Sequence, residues 1–91
     1  MILTATEIQE QAQQLPSSWS VVGKELQCDR QFSDFVAAMN FVNQIIAPAE
    51  AAGHHPDLYI SYNKVKISLT SHDQGGLTTK DFALAKIISA L

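Results

Sequence analysis

Two stretches of this chain alternate apolar and polar residues with a period of two, and each follows a short β-rich segment and a turn. In the first, Leu26, Cys28, Arg30 and Phe32 share one face, and Gln27, Asp29 and Gln31 the other. In the second, Val65, Ile67 and Leu69 oppose Lys66, Ser68 and Thr70. Successive side chains of a strand point to opposite faces, so this alternation predicts antiparallel strands with one side covered and one side wet. Trp19 to Val22 supplies the partner of the first stretch, across a turn at Gly23-Lys24. Leu58 to Tyr62 precedes the second, which runs from Val65 to Ser71, and Asn63-Lys64 between them suits a tight turn because Asn tolerates positive φ.

Helices must cover the apolar face, and the remaining segments have the period for it. From about Thr4 to Leu15, Ile8, Ala12 and Leu15 fall at helical spacing, with Thr4 or Thr6 as the cap and Pro16-Ser17-Ser18 as the stop. Ser33 is placed to cap a second helix, with Asp34 in its first turn. Phe35, Met39, Val42, Ile46 and Ala49 then form one apolar stripe. Pro48 lacks a backbone donor and clashes with the carbonyl of Gln44, which predicts a kink or a restarted turn, and Gly53 is the expected stop. Thr78 opens the last helix, with Asp81 three residues on as in a capping box and Leu84, Ile87, Ile88 and Leu91 as its apolar stripe. The order α-β-β-α-β-β-α predicts an α+β fold, a four-stranded antiparallel sheet with its helices on one face. At 91 residues the chain is read as a single domain, 1–91, and a core this small favours self-association.

Composition removes several functions. The net charge is −3 and only Lys64 and Lys66 lie close together among six basic residues, so the chain has no electrostatic footprint for nucleic acid. Cys28 is the only cysteine, which excludes an intrachain disulfide framework and reads as a small apolar strand residue. No apolar run reaches the length of a membrane span. The opening MILTATEIQEQAQQ has no basic region and turns polar at once, unlike a secretory signal, so a cytoplasmic location is expected.

The residues suited to chemistry are three histidines. His54 and His55 stand side by side before Pro56, and His72 follows the last strand of the second hairpin. Imidazole alone among side chains both accepts and gives a proton near neutral pH without perturbation. His54 and His55 precede one strand and His72 follows its antiparallel partner, so the hairpin brings them to the same end. Glu50 and Asp57 are carboxylates on either side of the pair. Two bland alternatives stand beside this acid–base site: ordinary surface histidines, and a metal site of the histidines with a carboxylate. The second lacks the strong zinc spacings, and adjacent side chains diverge. A nucleophile is less favoured, since Cys28 is distant in sequence and no serine occupies a GxSxG elbow. Asp81 reads equally well as a helix cap, Gly75-Gly76 as a turn, and Trp19, Tyr59 and Tyr62 as core or cross-strand aromatics.

The segment Glu50-Ala51-Ala52-Gly53-His54-His55-Pro56, with Tyr62, His72 and Asp81 at their offsets, resembles the signature of the pterin-4a-carbinolamine dehydratases. The wording YNKVKISLTSHDQGGLT is also close to that family, and the similarity extends back through Phe32-Ser33-Asp34-Phe35 to Trp19. Leu58, Gly53 and Ser71 depart from it, standing where tryptophan, aspartate and threonine are common. The resemblance implies dehydration of a 4a-hydroxytetrahydropterin to quinonoid dihydropterin, in tetrahydrobiopterin recycling, with no metal or cofactor. It implies His54 and His72 as the main acid–base groups, His55 as the residue that orients the pterin, and Glu50 and Asp81 as supports of the histidines. Substrate contacts would fall on Glu50, on His54 to Pro56, and on Ser71, His72, Asp73 and Gln74. It also implies a homodimer or higher oligomer joined at sheet edges, and a link to an aromatic amino acid hydroxylase. The family's other known role is non-catalytic: dimerisation cofactor for a homeodomain transcription factor in animals, or an assistant of Rubisco assembly in photosynthetic lineages.

Overall fold

The computed structural model describes residues 1–91. The elements are α1 (Ala5–Ala12), β1 (Trp19–Val22), β2 (Glu25–Gln31), α2 (Phe35–Ala52), β3 (Asp57–Ser61), β4 (Lys64–Leu69) and α3 (Thr79–Ser89). The four strands form one antiparallel sheet in the order β1-β2-β4-β3, so β1 and β3 are the edges. This is the α+β arrangement that the two alternating stretches predict.

Register follows the pleat. Trp19 pairs with Cys28, Cys28 with Ile67, and Ile67 with Leu58, which lines up four apolar residues across all strands on the inner face. Leu26, Ile67 and Leu69 are fully buried, and Phe82, Leu84, Ala85 and Ile88 of α3 belong to the same core. The outer face carries Gln27, Asp29, Lys66, Ser68 and Tyr59, and none of these is buried. Trp19 is a core aromatic, and its indole Nε1–H donates to Ser89 Oγ at 2.7 Å, which satisfies the buried donor. Tyr59 and Tyr62 instead lie at the surface.

The helix ends obey local chemistry. Thr4 caps α1 in a reciprocal capping box with Glu7, and Thr78 does the same for α3 with Asp81. For α2 the cap is Asp34, whose side chain accepts from the Ala37 N–H at 2.8 Å, and not Ser33. Asp34 has the extended backbone that a cap needs and a charge that suits the helix N-terminus.

Four further expectations need correction. The buried stripe of α2 is Ala38, Phe41, Ile45 and Ala49, while Phe35 and Ile46 are half exposed. This helix is apolar nearly all round, so periodicity alone does not select its inner face. Phe41 does, because its ring stands 5.1 Å from Phe32 and under the Arg30 guanidinium at 4.6 Å. The helix also passes through Pro48 without restarting. In α3, Ile87 and Leu91 are likewise outward, and Phe82 takes the inner place. The hairpin turn is Tyr62-Asn63, one residue earlier than expected, since Ser61 pairs with Lys64. Asn63 is held by the residue that follows β2: its C=O accepts from the Phe32 N–H at 2.8 Å and its Nδ2 donates to Phe32 O at 2.9 Å. The left-handed conformation therefore falls on Tyr62, at φ 53°.

Two outcomes follow from this core. Phe82→Ala removes a fully buried ring and is expected to lose about 3–5 kcal/mol, read as a lower urea midpoint at unchanged slope. Burial raises the Cys28 pKa, outweighing its hydrogen bond from Ser18, so little thiolate is present at neutral pH. A thiol reagent is expected to leave the native protein unlabelled and to react once denaturant unfolds it.

Candidate functional site

The site begins where α2 stops. Gly53 adopts φ 59°, the left-handed conformation that ends helices. The Gly53 N–H donates to Glu50 O at 3.2 Å, and the His54 N–H donates to Ala49 O at 3.1 Å. These two bonds close the last turn as a Schellman motif and hold the His54 backbone. Aspartate and asparagine also tolerate this φ, so glycine at position 53 is a small change in backbone terms.

His54 then turns inward. Its side chain is 11% exposed and its Nε2 lies 2.5 Å from Oδ1 of Asp81. Asp81 is fully buried, and its second oxygen Oδ2 accepts from the Thr78 N–H and from Ser71 Oγ, both at 2.8 Å. One carboxylate thus caps α3 with one oxygen and meets a histidine with the other. The capping and supporting readings of Asp81 are compatible, since the two oxygens divide the work. Nδ1 of His54 has no protein partner, and no polar side-chain atom of the molecule is both buried and unpaired. That nitrogen is therefore open to solvent.

The other two histidines stand at the surface, each opposite its own carboxylate. His55 Nε2 lies 2.5 Å from Glu50 Oε2, one helical turn and the cap away in sequence, with both side chains well over half exposed. His72 Nε2 is 4.0 Å from Asp57 Oδ2, more exposed still, at the junction of β4's end with β3's start. The hairpin does bring the segments flanking β3 and β4 to one end of the sheet. There each histidine faces a different carboxylate, His54 Asp81, His55 Glu50 and His72 Asp57.

Two depressions border these groups. An apolar groove of about 370 Å³ runs between the C-terminal half of α2 and edge strand β3, lined by Ile45, Ile46, Ala49, His55, Pro56 and Leu58. Its size is within the range of small-molecule sites. A second, shallower one of about 250 Å³ is polar and holds His72 with Lys24, Glu25, Thr70 and Gly75. Asp73 and Gln74 are exposed in the loop that the Ser71–Gly76 bridge closes. Ser71, with Asp73, Gln74 and Thr78, lines a third and smaller depression of about 130 Å³. Ser71 is 2% exposed and its hydroxyl bonds to Asp81 and Thr78, because the residue continues the inward alternation of Leu69. Sequence reasoning gave Thr78 a capping role only. Its hydroxyl also lies 2.8 Å from Ser71 Oγ, and the one signal for this was the shared T-x-x-D box.

Comparison with known proteins identifies the family and the fold. The family profile for pterin 4 alpha carbinolamine dehydratase matches residues 1–91. A protein of Cyanothece sp., provisionally named pterin-4-alpha-carbinolamine dehydratase, is 62% identical over 99% of this chain and 92% of its own length. One from Nostoc punctiforme with the same provisional name is 58% identical over 99% and 96%. A crystal structure from Brucella melitensis, described as a transcriptional coactivator/pterin dehydratase, superposes with a TM-score of 0.93 at 30% identity, covering 99% of this chain and 97% of that one. A pterin dehydratase-like protein identified as a RuBisCO assembly factor in the alpha-carboxysome superposes at 0.67 and 25% identity, over 80% and 87%. With a match along its whole length and relatives above half identity, the chain belongs to the pterin-4a-carbinolamine dehydratase family.

Proposed function

We propose that the protein dehydrates 4a-hydroxytetrahydropterins by histidine acid–base catalysis. The observation that carries this reading is His54, an imidazole anchored through Nε2 to a buried carboxylate with its other nitrogen open. Dehydration needs a proton removed from N5 and another delivered to the departing 4a-hydroxyl, which leaves as water. The C4a–O bond breaks as the N5–C4a double bond forms, so atoms and electrons balance without a redox partner. Two imidazoles of opposite protonation meet that demand, and the pair we assign is His54 and His72. Asp81 holds the first and stabilises its charge when it carries the extra proton. Asp57 stands near the second.

His55, Glu50 and Pro56 border the groove of about 370 Å³, which suits a flat heterocycle with apolar walls and a polar rim. In this reading His55 orients the pterin, and Ser71, Asp73 and Gln74, which line a separate small depression, supply further contacts from the loop after β4. Leu58 supplies aliphatic wall. The substrate would come from an aromatic amino acid hydroxylase, in the cytoplasm. A homo-oligomer belongs to the same proposal: β1 and β3 are unpaired edges, and exposed Phe35 and Ile46 line the outer side of α2.

A second reading is favoured by one observation, the fold similarity to the RuBisCO assembly factor. In that reading the surfaces bind a protein client and the histidines are inherited. The two separate by assay.

Freshly generated 4a-hydroxytetrahydropterin, followed by its ultraviolet decay, is expected to dehydrate faster with the protein than spontaneously. His54→Ala and His72→Ala are each expected to lower the rate by about 10²–10⁴-fold, and the double variant further. A folded wild-type protein without acceleration would sink the enzyme and leave the client-binding reading. Asp81→Asn is expected to reduce the rate and also to destabilise the fold by about 1–3 kcal/mol, since it weakens hydrogen bonds made by a buried group. Its denaturation midpoint and its rate are to be measured on the same preparation.

A further inference from the structure

Ser71 is almost wholly buried at the foot of the small depression beside Asp73 and Gln74, and its hydroxyl turns inward to the carboxylate that meets His54. Ser71 has one proton to give, and it goes to Asp81 Oδ2 at 2.8 Å. The bond between Ser71 Oγ and Thr78 Oγ1, also 2.8 Å, must then take its proton from Thr78. Thr78 Oγ1 in turn accepts from the Lys80 N–H at 3.3 Å. The result is a one-way chain of donors, from the first turn of α3 through Thr78 and Ser71 to the carboxylate. With the Thr78 N–H as well, Oδ2 accepts two hydrogen bonds. The remaining oxygen, Oδ1, meets only His54 Nε2.

From this donor order we infer that Ser71 is a positioning residue: acting through Asp81, it fixes His54 as the tautomer protonated at Nε2 and so makes Nδ1 the nitrogen that exchanges a proton with substrate. This deepens the dehydratase reading and rests on it for the identity of the substrate, though not for the tautomer. A carboxylate held by donors on Oδ2 presents Oδ1 as a pure acceptor, which demands N–H from the ring. The lone pair is then left on Nδ1, the nitrogen without a protein partner. Without Ser71, Oδ2 keeps only the Thr78 N–H, so the carboxylate is held less firmly against His54 and the preference for the proton on Nε2 weakens. The chemistry at Nδ1 is a proton moving between that lone pair and the substrate, with no bond to the imidazole carbon framework made or broken.

The test uses protein labelled with ¹⁵N-histidine and two-bond proton–nitrogen correlation spectra, with His54 assigned by its disappearance in His54→Gln. Wild type is expected to give a pyrrole-like Nε2 and a pyridine-like Nδ1 for neutral His54. Ser71→Ala is expected to give averaged nitrogen shifts, with kcat lowered on the order of 10-fold and KM little changed, as for loss of one hydrogen bond worth about 1.4 kcal/mol. Ser71→Thr, which keeps the hydroxyl, is expected to restore the wild-type pattern. A wild-type His54 with its proton on Nδ1 overturns the inference whatever the variants do, and so does an unchanged tautomer in folded Ser71→Ala. The spectra need no substrate, so a missing dehydratase activity would remove the reaction and leave the tautomer result to decide the role of Ser71.

Discussion

A carboxylate with no exposure to water, Asp81, is the constraint on which this end of the molecule depends. An unpaired charge there would cost several kcal/mol, so the fold must bring donors to it. They come from three segments: Thr78 just before α3, Ser71 two residues after β4, and His54 just after the Gly53 cap of α2. The two oxygens are fully used in this way, and no buried polar side-chain atom is left without a partner. Satisfying Asp81 therefore docks α3, the loop after β4 and the end of α2 on one point. The histidine at that point inherits the rigidity of all three.

The rest of the fold delivers those donors to the right place. Period-two alternation decides which residues of β4 face inward, and Ser71 continues that series after Leu69, so its hydroxyl reaches Asp81 rather than solvent. His72, one residue on, faces out by the same rule. The Schellman closure of α2 acts similarly on His54 and His55: the backbone bond of His54 to Ala49 directs one ring inward, and its neighbour goes to the surface against Glu50. Adjacent residues thus acquire different environments from backbone geometry alone.

Much of this was legible in the sequence. The element order, the strand faces, the T-x-x-D box and the convergence of the flanks of β3 and β4 all follow from patterns that local physics enforces. What was not legible has a common cause, the choice among equivalent options by a distant contact. On α2 the apolar residues cover most of the circumference, and Phe41 against Phe32 and Arg30 selects the inner stripe. At the second hairpin either of two dipeptides could turn, and the bonds from Asn63 to Phe32 select Tyr62-Asn63. The inward bond of the Ser71 hydroxyl was not legible either, because its partner Asp81 stands ten residues on, across the loop after β4.

The contrast among the three histidines bears on how such a site divides its labour. His54 is held on its backbone, on Nε2 and by burial, so little conformational freedom remains for it to lose when a substrate arrives. His55 and His72 are exposed, and their ion-pair partners Glu50 and Asp57 are exposed too, so each of those pairs is screened by water and weak. A fixed group gives precise proton transfer, and freely turning groups adapt to the outline of a ligand. The sequence His54-His55-Pro56 places one of each kind side by side, with Pro56 stiffening the chain between them and β3. The groove that His55 borders is mostly apolar, so a bound ring there would strip water from His55 and Glu50 and strengthen their pair. The weak pair of the empty protein and the tight one expected around a ligand are thus the same two side chains in different dielectric surroundings. In the dehydratase reading proposed above, that difference would let the His55–Glu50 pair tighten as the pterin enters the groove.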